Sequence, residues 1–145
     1  MRIEMSSEPR LLQILRGAVR WRAKEAGFSE SDADCLAMAI NEAAANVIRH
    51  TYGKRENARL ALEIRPLGDR VEFILEDWGP KVCSEQIHPR ALEDVRPGGL
   101  GTFFIKTFMD ESSYDDSFLE GNRLKMVKYL CGKNAGCDEG SSSKG

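Results

Sequence analysis

Histidine and paired cysteine are what this 145-residue chain has least of. It holds only two histidines, His50 and His88, and its four cysteines at positions 35, 83, 131 and 137 form no C-x-x-C pair. That excludes the usual four-ligand zinc site and leaves the cysteines as reduced, structural thiols. An excess of one charge is missing too. The formal net charge is -2 with acids and bases interspersed, so there is no clustered basic face to grip a nucleic-acid backbone, and no direct nucleic-acid partner is expected. No apolar run approaches the about 20 residues of a membrane span. The opening Met-Arg-Ile-Glu-Met-Ser-Ser has neither an apolar core nor a cleavage site, so a soluble, cytoplasmic protein without a membrane partner is expected. The length suits one domain that can bury a core without disulfide or metal staples.

What is present begins with amphipathic patterning. Ile3 to Ser6 reads as a short strand. Pro9 suits the first turn of a helix carrying Leu11, Ile14, Leu15, Ala18, Val19 and Ala26, which Gly27 ends. Ser29 or Ser31 starts a second helix with the stripe Leu36, Ala39, Ile40, Ala43 and Val47, running to Gly53. Two period-two runs follow, Arg59 to Pro66 and Arg70 to Asp77, joined as a hairpin by Leu67-Gly68-Asp69. Residues 80–97 hold three of the five prolines and exceed the about 12 to 15 residues at which structureless loops become uncommon, so a functional lid is expected there. A helix through Met109, a stretch from Ser112 to Phe118, a turn at Glu120-Gly121-Asn122 and a strand from Arg123 to Leu130 complete the pattern. The domain is expected over 1–131. The polar, glycine-rich 132–145 reads as a disordered tail.

Three segments carry chemistry. Glu42 and Asn46 lie four residues apart, so on a helix both leave one face about a turn from each other. With Arg49 they form a wedge beside Ala39 and Ala43 that suits a ligand-filled groove. Asp77 shares the parity of Val71, Phe73 and Leu75, and a carboxylate at the end of a buried strand face needs polar partners or a shifted pKa. The cluster Gly98-Gly99-Leu100-Gly101 opens into a helix at Thr102. Glycines there let the backbone approach an anion while the helix turns its free N–H groups toward it, a phosphate cradle without a Walker lysine.

In that order, Asn41-Glu42-Ala-Ala-Ala-Asn46-Val-Ile-Arg49-His50, Glu76-Asp77-Trp78-Gly79-Pro80 and Pro97-Gly98-Gly99-Leu100-Gly101-Thr102-Phe-Phe-Ile105 resemble the N, G1 and G2 boxes of the GHKL ATPase superfamily. The short length and the Gly121 to Lys128 ending resemble its anti-sigma-factor serine/threonine kinase branch. The resemblance implies a two-layer α/β sandwich, with a mixed, mostly antiparallel sheet and helices on one face. It implies ATP/ADP and Mg²⁺ as ligands. Glu42 would be the general base, Asn46 would hold Mg²⁺, and Asp77 would accept the adenine amino group. Gly79 would leave room for the base, while Gly98, Gly99, Leu100, Gly101 and backbone amides near Thr102 would take the phosphates.

The implied partners are an anti-sigma-factor antagonist, as substrate, and a sigma factor, with a homodimer as the unit. One departure stands out. Pro80-Lys81 replaces the second glycine of the fuller Asp-x-Gly-x-Gly form. A nucleotide-responsive binding module without phosphoryl transfer is the alternative from another class. No histidine-bearing dimerisation helix precedes the boxes, so a full sensor histidine kinase is not expected. His50 reads as a cap or packing residue at a helix end.

Overall fold

A computed structural model describes residues 1–52, 58–81 and 105–130. Strand β1 (Arg2–Ser6) leads through a 3₁₀ turn (Pro9–Leu11) into helices α1 (Leu12–Ala26) and α2 (Glu30–Asn46). Strands β2 (Arg59–Pro66), β3 (Arg70–Asp77), β4 (Glu111–Tyr114) and β5 (Asn122–Tyr129) follow. They form a five-stranded sheet in the order β1-β2-β3-β5-β4. Every pairing in it is antiparallel. The expected α/β sandwich is therefore present, without a parallel pair among the described strands.

Local sequence explains the boundaries. Pro9 sits in the first turn, where its missing N–H costs nothing. Gly27 closes α1 at φ 113°, a conformation that a side chain disfavours. Ser29 then caps α2 by accepting the Asp32 N–H at 3.1 Å, an arrangement whose loss typically costs about 1 kcal/mol. Gly68, at φ 92°, turns the chain between β2 and β3.

The helices lie on one face of the sheet. Leu15, Val19, Leu36 and Ile40 pack in one core with Leu60, Leu62, Ile64, Val71, Phe73, Leu75 and Met126. The buried stripe of α1 is Leu12, Leu15, Val19 and Ala23, which keeps Leu15 and Val19 of the expected stripe but not Ile14. Ile14 is 63% exposed, because it is one residue, about 100° of helix rotation, away from the Leu15 face. Further along, α2 stops at Asn46 and the chain makes a π-helical turn over Val47–Tyr52. This widening lies next to the Glu42–Asn46 pair, and such turns cluster at functional sites. Near the C-terminus, β4 covers Glu111–Tyr114 rather than reaching Phe118, and β5 starts at Asn122.

The opposite face of the sheet is charged yet partly buried. Glu72 and Glu76 are each 6% exposed. Arg65, Arg70 and Lys125 surround Glu72 at 3.9, 3.6 and 3.5 Å. Arg2 and Arg123 flank Glu76 at 3.1 and 2.7 Å. Ala61, Ile74 and Val127 are buried on this same side.

Candidate functional site

The site is built where β3 ends. Asp77 is the last residue of that strand and faces the core side, where it is 3% exposed. The Gly79 backbone N–H at 2.9 Å and the Asn122 side-chain amide at 2.9 Å both donate to its Oδ1. Burial pushes the Asp77 carboxyl above its ordinary value. The Asn122 amide, the Gly79 and Asn122 backbone N–H groups and the Lys81 charge oppose that shift only in part. The arrangement is an acceptor in a low-dielectric pocket, held by neutral donors.

Asn122 does a second thing that its sequence position did not advertise. The same nitrogen donates to the Pro80 carbonyl at 2.8 Å, so β5 holds both the carboxylate and the turn that leaves β3. Gly121 makes the approach possible. A Cβ there would overlap the Asp77 carbonyl oxygen and stand 2.7 Å from the Trp78 Cα. Tyr114 on β4 also senses the site, its phenol raised above its ordinary value by burial and then by the Asp77 charge.

An aromatic and cationic rim borders the same turn. The Arg59 guanidinium lies 3.8 Å over the Trp78 ring. Trp78 meets Phe118 edge-on at 5.8 Å, and Arg123 lies 4.5 Å from the Phe118 ring centre. Lys81 donates to the Phe118 carbonyl at 2.8 Å. These contacts fix residues 78–81, including Gly79 and Pro80, to the β4–β5 connection. Asn122, Tyr114, Arg59 and Phe118 were absent from the sequence-based site. Only the Gly-Asn pair at the head of the last strand could have pointed to one of them.

Glu42 and Asn46 are half-buried on one face of α2. The Asn46 Oδ1 accepts the Arg49 guanidinium at 2.6 Å, while Arg49 and His50 are exposed. An amide oxygen is a hard donor suited to Mg²⁺, which needs few protein ligands when phosphates and waters supply the others. No cluster of three or more His, Cys, Asp or Glu that could hold a metal exists among the described residues. An ion at Asn46 would be held jointly with phosphate oxygens, beside the Arg49 guanidinium that donates to the same Oδ1.

Gly98, Gly99, Leu100, Gly101 and Thr102 lie outside the described residues, as do most of the expected lid over 80–97 and the 132–145 tail. The helix after the glycine cluster is described from Ile105, which is buried with Met109 in the core. Lys128 anchors it by donating to the Phe108 carbonyl at 3.0 Å.

Residues 5–128 match the sequence model of the histidine kinase-like ATPase domain. The chain belongs to that family. Among proteins similar to this histidine kinase-like ATPase domain is the serine-protein kinase RsbW of Bacillus velezensis, 26% identical, with 98% of this chain and 91% of that protein covered. Its namesake in Bacillus subtilis is 25% identical, over 94% of this chain and 89% of that protein. The fold recurs in the crystal structure of the RsbU and RsbW domains of a Mycobacterium tuberculosis protein, at TM-score 0.59 and 16% identity. That match covers 90% of this chain and 32% of the longer one. The mycobacterial sensor histidine kinase MprB is similar at TM-score 0.53 and 15% identity, over 89% and 97% of the two chains. No helix among the described residues of this domain is long and apolar enough to cross a membrane.

Proposed function

We propose that this chain binds Mg-ATP and transfers the γ-phosphate to a serine or threonine of a small antagonist protein, while sequestering a sigma factor. The observation that carries the nucleotide reading is the buried Asp77 carboxylate at the exit of β3, held by Gly79 and Asn122. An acceptor in that position suits the exocyclic amine of adenine and disfavours guanine, whose corresponding edge carries an oxygen. Similarity to serine-protein kinases RsbW along most of the chain supports the transfer, and the resemblance to the anti-sigma-factor kinase branch supplies the partners.

In this reading Glu42 takes the proton of the attacking hydroxyl. The hydroxyl oxygen forms a bond to the γ-phosphorus, and the bond from that phosphorus to the bridging oxygen breaks, releasing ADP. Asn46 holds the magnesium ion, which when bound neutralises charge on the phosphates. Gly79 leaves room for the base, and the backbone from Gly98 to Thr102 takes the phosphates. The working unit is a cytoplasmic homodimer.

Calorimetric titration of ATP, ADP and GTP, with and without Mg²⁺, into wild type and Asp77→Asn tests the nucleotide site. Adenine nucleotides should bind, Mg²⁺ should strengthen ATP, and the substitution should abolish both. Transfer of labelled γ-phosphate to an antagonist protein, lost in Glu42→Ala while ATP still binds, tests the kinase. The second reading, a nucleotide-responsive module without transfer, is favoured by the turn after Gly79. There the Pro80 carbonyl and the Lys81 ammonium are both tied down. Persistent binding without any transfer would decide for it.

A further inference from the structure

We propose that Asn122 is the positioning residue that sets the base preference of this site, by holding Asp77 and the exit turn of β3 in one geometry. The inference rests on the assignment of Asp77 as the base-binding carboxylate. Asn122 is directly opposite Asp77 in the β3–β5 ladder and is 4% exposed. Its amide nitrogen has two hydrogens. One goes to Asp77 Oδ1 at 2.9 Å and the other to the Pro80 carbonyl at 2.8 Å.

Both partners are acceptors, so the amide cannot turn over without facing its own oxygen toward them. A serine or threonine hydroxyl has a single hydrogen and could serve only one. The amide therefore joins two elements that no shorter polar side chain could join. The close approach at Gly121 removes slack from the same junction.

The consequence is a matter of proton count. A carboxylate that receives donors stays an acceptor, and it then takes a hydrogen bond from a 6-amino purine. Without the Asn122 donor, a buried carboxyl more readily holds a proton. It could then donate to a 6-oxo purine. Asn122 thus favours the amino base over the oxo base by acting through Asp77.

Calorimetric titration of ADP and IDP into wild type, Asp77→Asn, Asn122→Ala and Asn122→Asp tests this, at pH 6 and pH 8, with thermal unfolding recorded for each. In Asn122→Ala the affinity for ADP should fall about tenfold, the worth of one hydrogen bond to a charged group. The affinity for IDP should hold or rise, so the ratio of the two narrows. Asn122→Asp keeps the shape but sets two carboxyls together. Its ADP affinity should be lost at pH 8 and partly recovered at pH 6. A folded Asn122→Ala that keeps the wild-type ratio, or an Asn122→Asp whose affinity ignores pH, overturns the inference even where absolute affinity drops. Equal ADP binding by wild type and Asp77→Asn overturns the base-site reading and the inference with it.

Discussion

Arg123 Nε stands 2.7 Å from Glu76 Oε2, on the face of the sheet away from the helices. Glu76 and Asp77 are neighbours in sequence, and both are buried. The pleat sends them to opposite sides, where they meet different chemistry. Glu76 is neutralised by Arg123 and Arg2, whereas Asp77 receives neutral N–H donors. Among the described residues, the first has the surroundings of a structural charge and the second those of a binding group.

Arg2→Ala should therefore lower stability and leave nucleotide affinity within twofold. The loss should be about 1 to 2 kcal/mol, above the usual surface pair because Glu76 stays buried with one cation fewer. Urea denaturation at low and high salt checks it. A loss of nucleotide binding in the folded variant would contradict the division of roles.

Asp77 gives a pH dependence of a definite sign. Its carboxyl lies above the ordinary 3.8 in the folded state. Its favourable contribution is complete below that value and is lost as pH rises through the folded value. Asp77→Asn removes the charge that burial penalises. The nucleotide-free variant should gain on the wild type as pH rises from 4 toward 7, even as nucleotide binding disappears. Denaturation at pH 4.5 and pH 7.5, without nucleotide, should show the stability difference shifting toward the variant. A constant difference would count against it.

Asp115 behaves in the opposite sense. The Ser117 hydroxyl and backbone N–H, then Arg123, lower its pKa from 3.8 to about 2. Its contribution is present above pH 3.8 and disappears as pH falls through about 2. Asp115→Asn should be less stable than wild type at pH 7, and the two should converge toward pH 2. Acid titration followed by circular dichroism reads the convergence. Parallel curves down to pH 2 would refute it.

Short-range signals made much of this legible in the sequence. Gly27 and Gly68 occupy the positive-φ positions where the patterning stopped, and the parity of Asp77 with Phe73 put it on the buried face that the structure gives it. What was not legible depends on pairing. Asn122 reaches Asp77 across 45 positions of sequence, and no local pattern encodes which strand lies beside β3. On α1 the expected Leu15 and Val19 are buried but Ile14 is not, because Ile14 and Leu12 are equally apolar and only packing against α2 and the sheet decides between them. The π-helical turn after Asn46 escaped for a similar reason: Val47 to Tyr52 contains no helix-breaking residue. The glycine cluster at 98–101 has a clear sequence signature, yet it lies outside the described residues.

Gly121 and Gly17 offer a matched pair of substitutions with opposite expected signs. A Cβ at Gly121 meets backbone atoms of Asp77 and Trp78, which cannot swing aside as a side chain could. Gly121→Ala must separate the start of β5 from the end of β3, at a cost of about 3 kcal/mol or more. That movement also pulls Asn122 from Asp77, so nucleotide affinity should fall with stability. At Gly17 nothing lies within 4 Å of a new Cβ, and the residue is inside α1. Gly17→Ala should stabilise by about 0.5 to 1 kcal/mol, because it reduces the freedom of the unfolded chain. Its nucleotide affinity should not change. Thermal unfolding and ADP titration of both variants separate the two effects. A harmless Gly121→Ala would mean that the β3–β5 junction has slack, and the tight positioning of Asp77 would then have to come from the Gly79 turn alone.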